Sequence, residues 1–249
     1  MNSALHTSID PSTWNDFVSR SPQGSVFSRT EFVEALGVDY ELVMLVENRQ
    51  PVLGAIVLLC EGQVVRAPFP LTMYHGVLCN GAFQTMPNHK RSKWLMDKIT
   101  TLLSELEKRY ARVSFCLHHQ FEDVRPFQWF HYHEQHLGRF SIDVRYTGII
   151  DLEKIADFEE FLAQVRTVRR QEYRKAVADG FVVEESDDID LLDRLHRMTF
   201  ERQGLVRDSG EEQLVRNISH AALDNGFGNL LVCCDKHGRP MVYTCESKY

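Results

Sequence analysis

Apolar positions along this chain switch repeatedly between helical spacing and short continuous runs, and the switches outline its elements. Trp14, Phe17 and Val18 give a first helical face. Asp10 caps that helix and Pro11 fits its first turn. Ser21-Pro22-Gln23-Gly24 breaks it. Ser28, with Glu31 three residues on, forms a capping box for a helix over Arg29 to Leu36, and Gly37 stops it. Apolar runs at Tyr40 to Glu47 and Val52 to Glu61 predict strands joined by the turn Asn48-Arg49-Gln50-Pro51. A third strand is expected at Gln63 to Arg66, followed by a loop rich in Pro and Gly from Ala67 to Pro87.

The pattern then predicts a long helix over Asn88 to Arg109, faced by Trp94, Leu95, Ile99, Leu102, Leu103 and Leu106. Strands are expected at Val113 to Leu117 and Phe140 to Asp151, with an aromatic, histidine-rich stretch of short helix and loops between them. Helices follow at Phe158 to Val165 and Arg166 to Gly180, then a strand at Phe181 to Glu185. Amphipathic helices at Ile189 to Gln203 and Glu211 to Asn225 lead to a hairpin, Leu230 to Asp235 and Pro240 to Glu246.

One unit recurs. Leu42 to Val52 and Leu231 to Met241 share an apolar strand, a polar turn, a proline and a second strand, and two helices precede each. The repeat distance is about 190 residues, which predicts two related lobes. The first copy continues through a helix and further strands, whereas the second stops within its hairpin at Tyr249. A sheet ending there would leave an open edge and a bare face. The expectation is a fragment of a protein roughly 330 to 350 residues long. The lobes are expected at residues 1–152 and 153–249, the second incomplete.

The 249 residues are 43% hydrophobic and 25% charged, ordinary values for a folded soluble chain. A net charge of -7 repels nucleic acid, so no DNA partner is expected and any anion site must be a local basic patch. No apolar run reaches the roughly 20 residues that cross a bilayer. The first ten residues lack a signal peptide's basic start and apolar stretch. The expected compartment is the cytoplasm, and peripheral membrane association stays open. The cysteines, Cys60, Cys79, Cys116, Cys233, Cys234 and Cys245, form no C-x-x-C pair and read as reduced thiols.

The basic stretch Arg166, Arg169, Arg170, Arg174 and Lys175 stands out in this acidic chain. Arg166, Arg170 and Arg174 recur every fourth residue on one helical face, and Arg169 and Tyr173 share a neighbouring one. Guanidinium forks suit phosphate oxygens. The same helix also reads as a solvated face paired with Glu172 and Asp179. His118, His119, His131, His133 and His136, with Glu122, Asp123 and Glu134, are dense enough to suggest zinc, yet their spacing matches no zinc site. They read as polar loop residues, one of which has the chemistry of a general base. The loop Pro68 to Gly76, with Thr72, Tyr74 and His75, falls where a substrate cleft would open. Gly226-Phe227-Gly228 lies in a helix-to-strand order and reads as a turn.

Several segments together resemble the Fem-like (FemAB-type) acyl- and aminoacyltransferases of the GNAT superfamily. They are Trp14 to Val18 with Gln23 to Phe27, Phe32 to Leu36, Arg125-Pro126-Phe127, Arg166 to Ala176 followed by Gly180 to Glu184, and Phe200 to Gly204. The resemblance runs from about residue 10 to 249. It implies an α/β (α+β) fold of two tandem GNAT-like lobes, each a mixed sheet flanked by helices. It also implies transfer of an activated acyl group to an amine, in cell-envelope or polysaccharide precursor synthesis. Arg169 and Tyr173, with Arg170, map onto positions that contact a substrate's phosphates. The donor would be a co-substrate, acyl-CoA or aminoacyl-tRNA, with no bound cofactor, and the acceptor a small molecule or a glycan or peptide precursor.

Two departures stand beside this. Related enzymes carry a lysine late in the second helix, where this chain has Glu34, Ala35 and Leu36. No GNAT pyrophosphate loop is present: Arg66-Ala67-Pro68-Phe69-Pro70 occupies its place, and prolines have no N–H to offer a phosphate. An inactive binding or regulatory module, and a fragment without function, therefore remain alternatives.

Overall fold

The computed structural model describes residues 3–134, 136–206 and 208–247. The chain divides into two compact units at Val144/Arg145.

The first unit holds β1 (Ser3–His6), α1 (Pro11–Arg20), a 3-10 turn at Val26–Ser28, α2 (Thr30–Ala35), β2 (Asp39–Glu47) and β3 (Gln50–Cys60). It continues through β4 (Gln63–Val64), β5 (Val77–Cys79), α3 (Ala82–Thr85), α4 (Asn88–Leu106) and α5 (Arg125–Trp129). The sheet order is β1-β2-β3-β4, and β5 pairs β3 at Leu53–Ala55 along the edge that β4 uses at Leu59 and Cys60. Asn48 and Arg49 turn the β2–β3 hairpin with φ of 48° and 65°. Two positive φ values match the twist that a two-residue hairpin needs. Pro51 lies opposite Val46, beside a register shift at Leu45/Val46, where a missing N–H is tolerated.

Both faces of the β2–β3 hairpin are covered, which explains its continuous apolar runs. Val43, Leu45, Leu53, Ala55 and Val57 share a cluster with Leu95, Ile99, Leu102, Leu103 and Leu106 of α4. On the opposite face, α1 lies so close that a Cβ on Gly54 would stand 2.7 Å from Phe17 and 2.9 Å from Trp14. Trp14 is fully buried, and its indole N–H donates to the Ser28 carbonyl at 2.7 Å. Each buried aliphatic of this core contributes about 1.5–3 kcal/mol. Lys98 of α4 donates to Glu47 of β2 at 2.7 Å, and Ser3 of β1 donates to the same carboxylate. Burial works to raise the Glu47 carboxyl, but these two donors outweigh it and hold it below its ordinary value.

The second unit holds a 3-10 turn at Leu152–Lys154, α6 (Phe158–Gln164), α7 (Thr167–Ala178), β6 (Val182–Ser186), α8 (Ile189–Arg202), α9 (Ser209–Asp224), β7 (Gly228–Cys234) and β8 (Pro240–Ser247). Asp157, Asp188 and Asp208 cap α6, α8 and α9 with side-chain oxygens. Gly180, at φ 81°, ends α7, where the Phe181 N–H returns to the Ala176 carbonyl. The sheet order is β6-β7-β8. One face packs through Ile189, Leu192 and Leu230, with Val215, Leu223 and Tyr243 against them. On the other face, Val183 and Val242 are 61% and 60% exposed.

The two units repeat one plan: a strand, two helices, then a hairpin that lies next to the first strand. Pro51 and Pro240 each sit beside a register shift in their hairpin. The α+β architecture of two sheets flanked by helices is therefore as the sequence implies. Every ladder among the described strands is antiparallel, however, and the expected mixed pairing is not seen.

The strands expected at Val113 to Leu117 and Phe140 to Asp151 do not form. Phe115, Leu117, Phe140 and Ile142 pack against the first core from irregular segments, while Val144 and Tyr146 are 73% and 96% exposed. Strand propensity needs a neighbouring edge to form a ladder with, and among the described residues the segment at His75 meets the first run at one position. What remains is a single bridge, in which His75 and Cys116 exchange backbone bonds of 3.1 and 2.8 Å. The His75 ring is 2% exposed, and neither ring nitrogen has a hydrogen-bond partner. Burial pushes its pKa down to about 4.

Two outcomes are expected. Gly54→Ala gains about 0.4–1 kcal/mol through the unfolded chain but forces two buried rings apart, at about 1–3 kcal/mol. The variant should melt lower by tryptophan fluorescence, which reports the first unit because Trp14, Trp94 and Trp129 all lie there. The His75 imidazole is neutral when folded and takes a proton more readily when unfolded. Stability is thus full above the ordinary value of 6.5 and falls as pH drops toward about 4, losing roughly 2–4 kcal/mol. His75→Leu should flatten that limb of the fluorescence-monitored urea midpoints, and an unchanged limb would refute the assignment.

Candidate functional site

Each unit is a separate source of candidate chemistry. In the second unit the chemistry lies on α7, whose twelve residues include none that is buried. A helix without a buried face is held by its ends and its neighbour: the Arg166 carbonyl accepts from the Arg170 N–H, and Tyr173 meets Phe158 of α6 edge-on at 5.3 Å. Arg169 Nη1 donates to Glu172 at 2.7 Å, with the Arg169 side chain 73% exposed. Arg170 donates to the Thr167 hydroxyl at 3.1 Å. The structure thus brings Arg169, Arg170 and Tyr173 together on one exposed helix. Exposed ion pairs three or four residues apart are worth about 0.3–0.5 kcal/mol. A phosphate oxygen receiving a bidentate guanidinium contact outbids that easily.

In the first unit the chemistry gathers around the loop that leads into β5. The Tyr74 and His118 ring centroids lie 4.5 Å apart with the planes tilted, and His118 lies 4.1 Å from the His119 ring. Tyr74 Oη and His119 Nδ1 are 3.3 Å apart. The Gln120 backbone N–H donates to His118 Nδ1 at 3.2 Å. Because an N–H can only donate, that nitrogen must carry a lone pair, which fixes His118 as the neutral tautomer. Burial, helped by His119, pushes His118 down to about 4, in accord with this. Burial, then the nearby Cys116, raises the Tyr74 hydroxyl above its ordinary value, so it keeps its proton. Phe27 extends the run of rings, 6.0 Å from Tyr74 and 5.1 Å from Phe32. Tyr74 is half-buried, whereas the His75 ring next to it is turned inside.

Sequence reasoning did not bring Tyr74 to His118 and His119. The loop and the histidine doublet are 45 residues apart, and the His75–Cys116 bridge is what aligns them. A strand-like run ending in two histidines was the available signal. The remaining histidines are dispersed. His131 is engaged by Glu107 at 3.1 Å and by the Gly138 carbonyl at 3.0 Å, and His133 lies edge-on to Tyr132. Among the described residues, no three His, Cys, Asp or Glu side chains come together to hold a metal ion. No described helix is long and apolar enough to cross a membrane.

No family model matches the chain, and no curated protein matches it. Among solved structures, the chain is similar to the crystal structure of FemX, with a TM-score of 0.55 and 18% sequence identity. The similarity covers 94% of this chain and 57% of the FemX chain, so this chain spans little more than half of that structure's length. A likeness at this identity speaks for architecture: two helix-flanked sheets in tandem, and the chain has a Fem-like fold.

Proposed function

We propose that the chain is part of an acyl- or aminoacyltransferase that moves an activated acyl group to an amine acceptor, acting in the cytoplasm on a cell-envelope or polysaccharide precursor. The observation that carries this reading is α7: three arginines and a tyrosine on an exposed helix, in a Fem-like fold, in a chain of net charge -7. A local basic face in an acidic protein concentrates anions where the average surface repels them. Arg169 and Arg170 would grip phosphate oxygens of the donor or acceptor, and Tyr173 would add a hydroxyl one turn on. The donor fits the class of acyl-CoA or aminoacyl-tRNA, both of which carry phosphates. The acceptor amine would attack the acyl carbonyl carbon, form the new C–N bond and expel the donor's thiol or hydroxyl. Holding both partners in place supplies much of the acceleration such a reaction needs.

A second reading is a binding module without turnover. Glu34, Ala35 and Leu36 favour it, since they stand where related enzymes carry a lysine.

Incubation of the full-length protein with labelled aminoacyl-tRNA or acetyl-CoA, together with amine acceptors, separates the two. Transfer is expected, and Arg169→Ala or Tyr173→Phe should lower kcat/KM by about ten- to a hundredfold, the loss of one charge-assisted or hydroxyl contact. Both side chains are exposed, so melting temperatures should hold. Saturable binding without transfer supports the module, and transfer indifferent to both substitutions refutes the role of α7.

A further inference from the structure

A cavity of about 330 Å³ opens in the first unit between α1, the start of β3 and the turn from β5 into α3. Its construction is specific. Thr13, Asp16, Phe17 and Arg20 line it from α1, at the spacing that puts residues on one helical face. Phe17 is buried in the core and, with Pro51, gives the cavity a firm apolar floor. Asn80 braces the far wall: its side-chain amide donates to the Pro51 carbonyl and its N–H to the Val52 carbonyl, both at 3.1 Å. Beside it, a Cβ on Gly81 would come within 3.0 Å of the Arg20 carbonyl, so backbone closes that corner.

The charges at the mouth are paired with each other. Arg20 Nε donates to Asp16 Oδ1 at 3.1 Å, and the two side chains are 69% and 57% exposed. Pairs so exposed contribute little to stability, so a ligand can separate the two groups readily. The pair also selects. A simple anion drawn to Arg20 meets Asp16, and a simple cation drawn to Asp16 meets Arg20. Only a molecule carrying both charges a short distance apart satisfies both groups.

We propose that this cavity binds a small zwitterion with an apolar side chain, the class of a free α-amino acid. Its carboxylate lies on Arg20, its ammonium on Asp16 and its side chain over Phe17 and Pro51. A volume at the lower end of the range for ligand pockets, roughly 300–1,000 Å³, leaves room for one such residue, with the solvent side open. The site is built within the first unit and is independent of the transferase reading.

Titration of the full chain with L-leucine, L-leucinamide and N-acetyl-L-leucine, by calorimetry or by NMR shifts, tests it. L-leucine should bind saturably, and each blocked analogue at least about tenfold more weakly. Arg20→Gln and Asp16→Asn should each weaken L-leucine by a similar factor, with circular dichroism showing the fold retained. Ala82→Trp, at an exposed lining position, should fill the cavity and abolish binding. The proposal is overturned by absence of saturable L-leucine binding, by equal binding of the three compounds, or by undiminished binding in Ala82→Trp.

Discussion

The first unit depends on one constraint: the β2–β3 hairpin must be buried on both faces at once. The leucines and Ile99 of α4 fill one face, and Trp14 and Phe17 press on the other at Gly54. Two-sided burial removes the usual alternation of apolar and polar residues, so these strands read as continuous apolar runs. It also fixes everything attached to the hairpin. β5 pairs along Leu53–Ala55, and the loop before β5 is thereby delivered to the His75–Cys116 bridge. Phe17 serves core and cavity lining alike.

The second unit obeys the same topology with less burial. Its sheet is covered on one face by α8 and α9, while Val183 and Val242 lie exposed on the other. The consequence reaches α7. A helix with no buried residue contributes little to a hydrophobic core, so the identity of its residues is not set by packing. Four arginines and a lysine lie between Arg166 and Lys175. Glu172 offsets one of those charges, through Arg169, and the remainder is a local positive field in a chain whose total charge is negative.

The sequence made local rules legible where they sufficed. Asp10 does cap α1, Gly180 does end α7, and both hairpins lie where apolar runs flank polar turns. The recurring plan of strand, helix pair and hairpin was readable as two helices and a hairpin. The strand before the second helix pair was legible too, as Phe181 to Glu185, whereas β1 completes the first copy only through its pairing with β2, which no local pattern encodes. The failures share a cause. Val113 to Leu117 and Phe140 to Asp151 carry strand-like composition, but a strand also needs an edge to pair with, and that is a property of the assembled sheet. Tyr74 and His118 each stand out in the sequence, yet their contact depends on a bridge between segments far apart in the chain. In the same way, nothing in Asp16 and Arg20 as an ordinary helical ion pair announces the cavity between α1 and Asn80.

The two groups of titratable side chains in this protein are prepared in opposite ways, and the difference bears on what each can do. Buried His75 and partly buried His118 are held neutral near pH 7, His75 with no partner for either nitrogen and His118 with a backbone N–H donating to its Nδ1. Such rings resist charging near pH 7. The arginines of α7 keep their hydration and their charge, and their intrahelical contacts are weak enough to be exchanged for a better acceptor. On the reading proposed above, a phosphate-bearing ligand would exchange those contacts for guanidinium–phosphate ones.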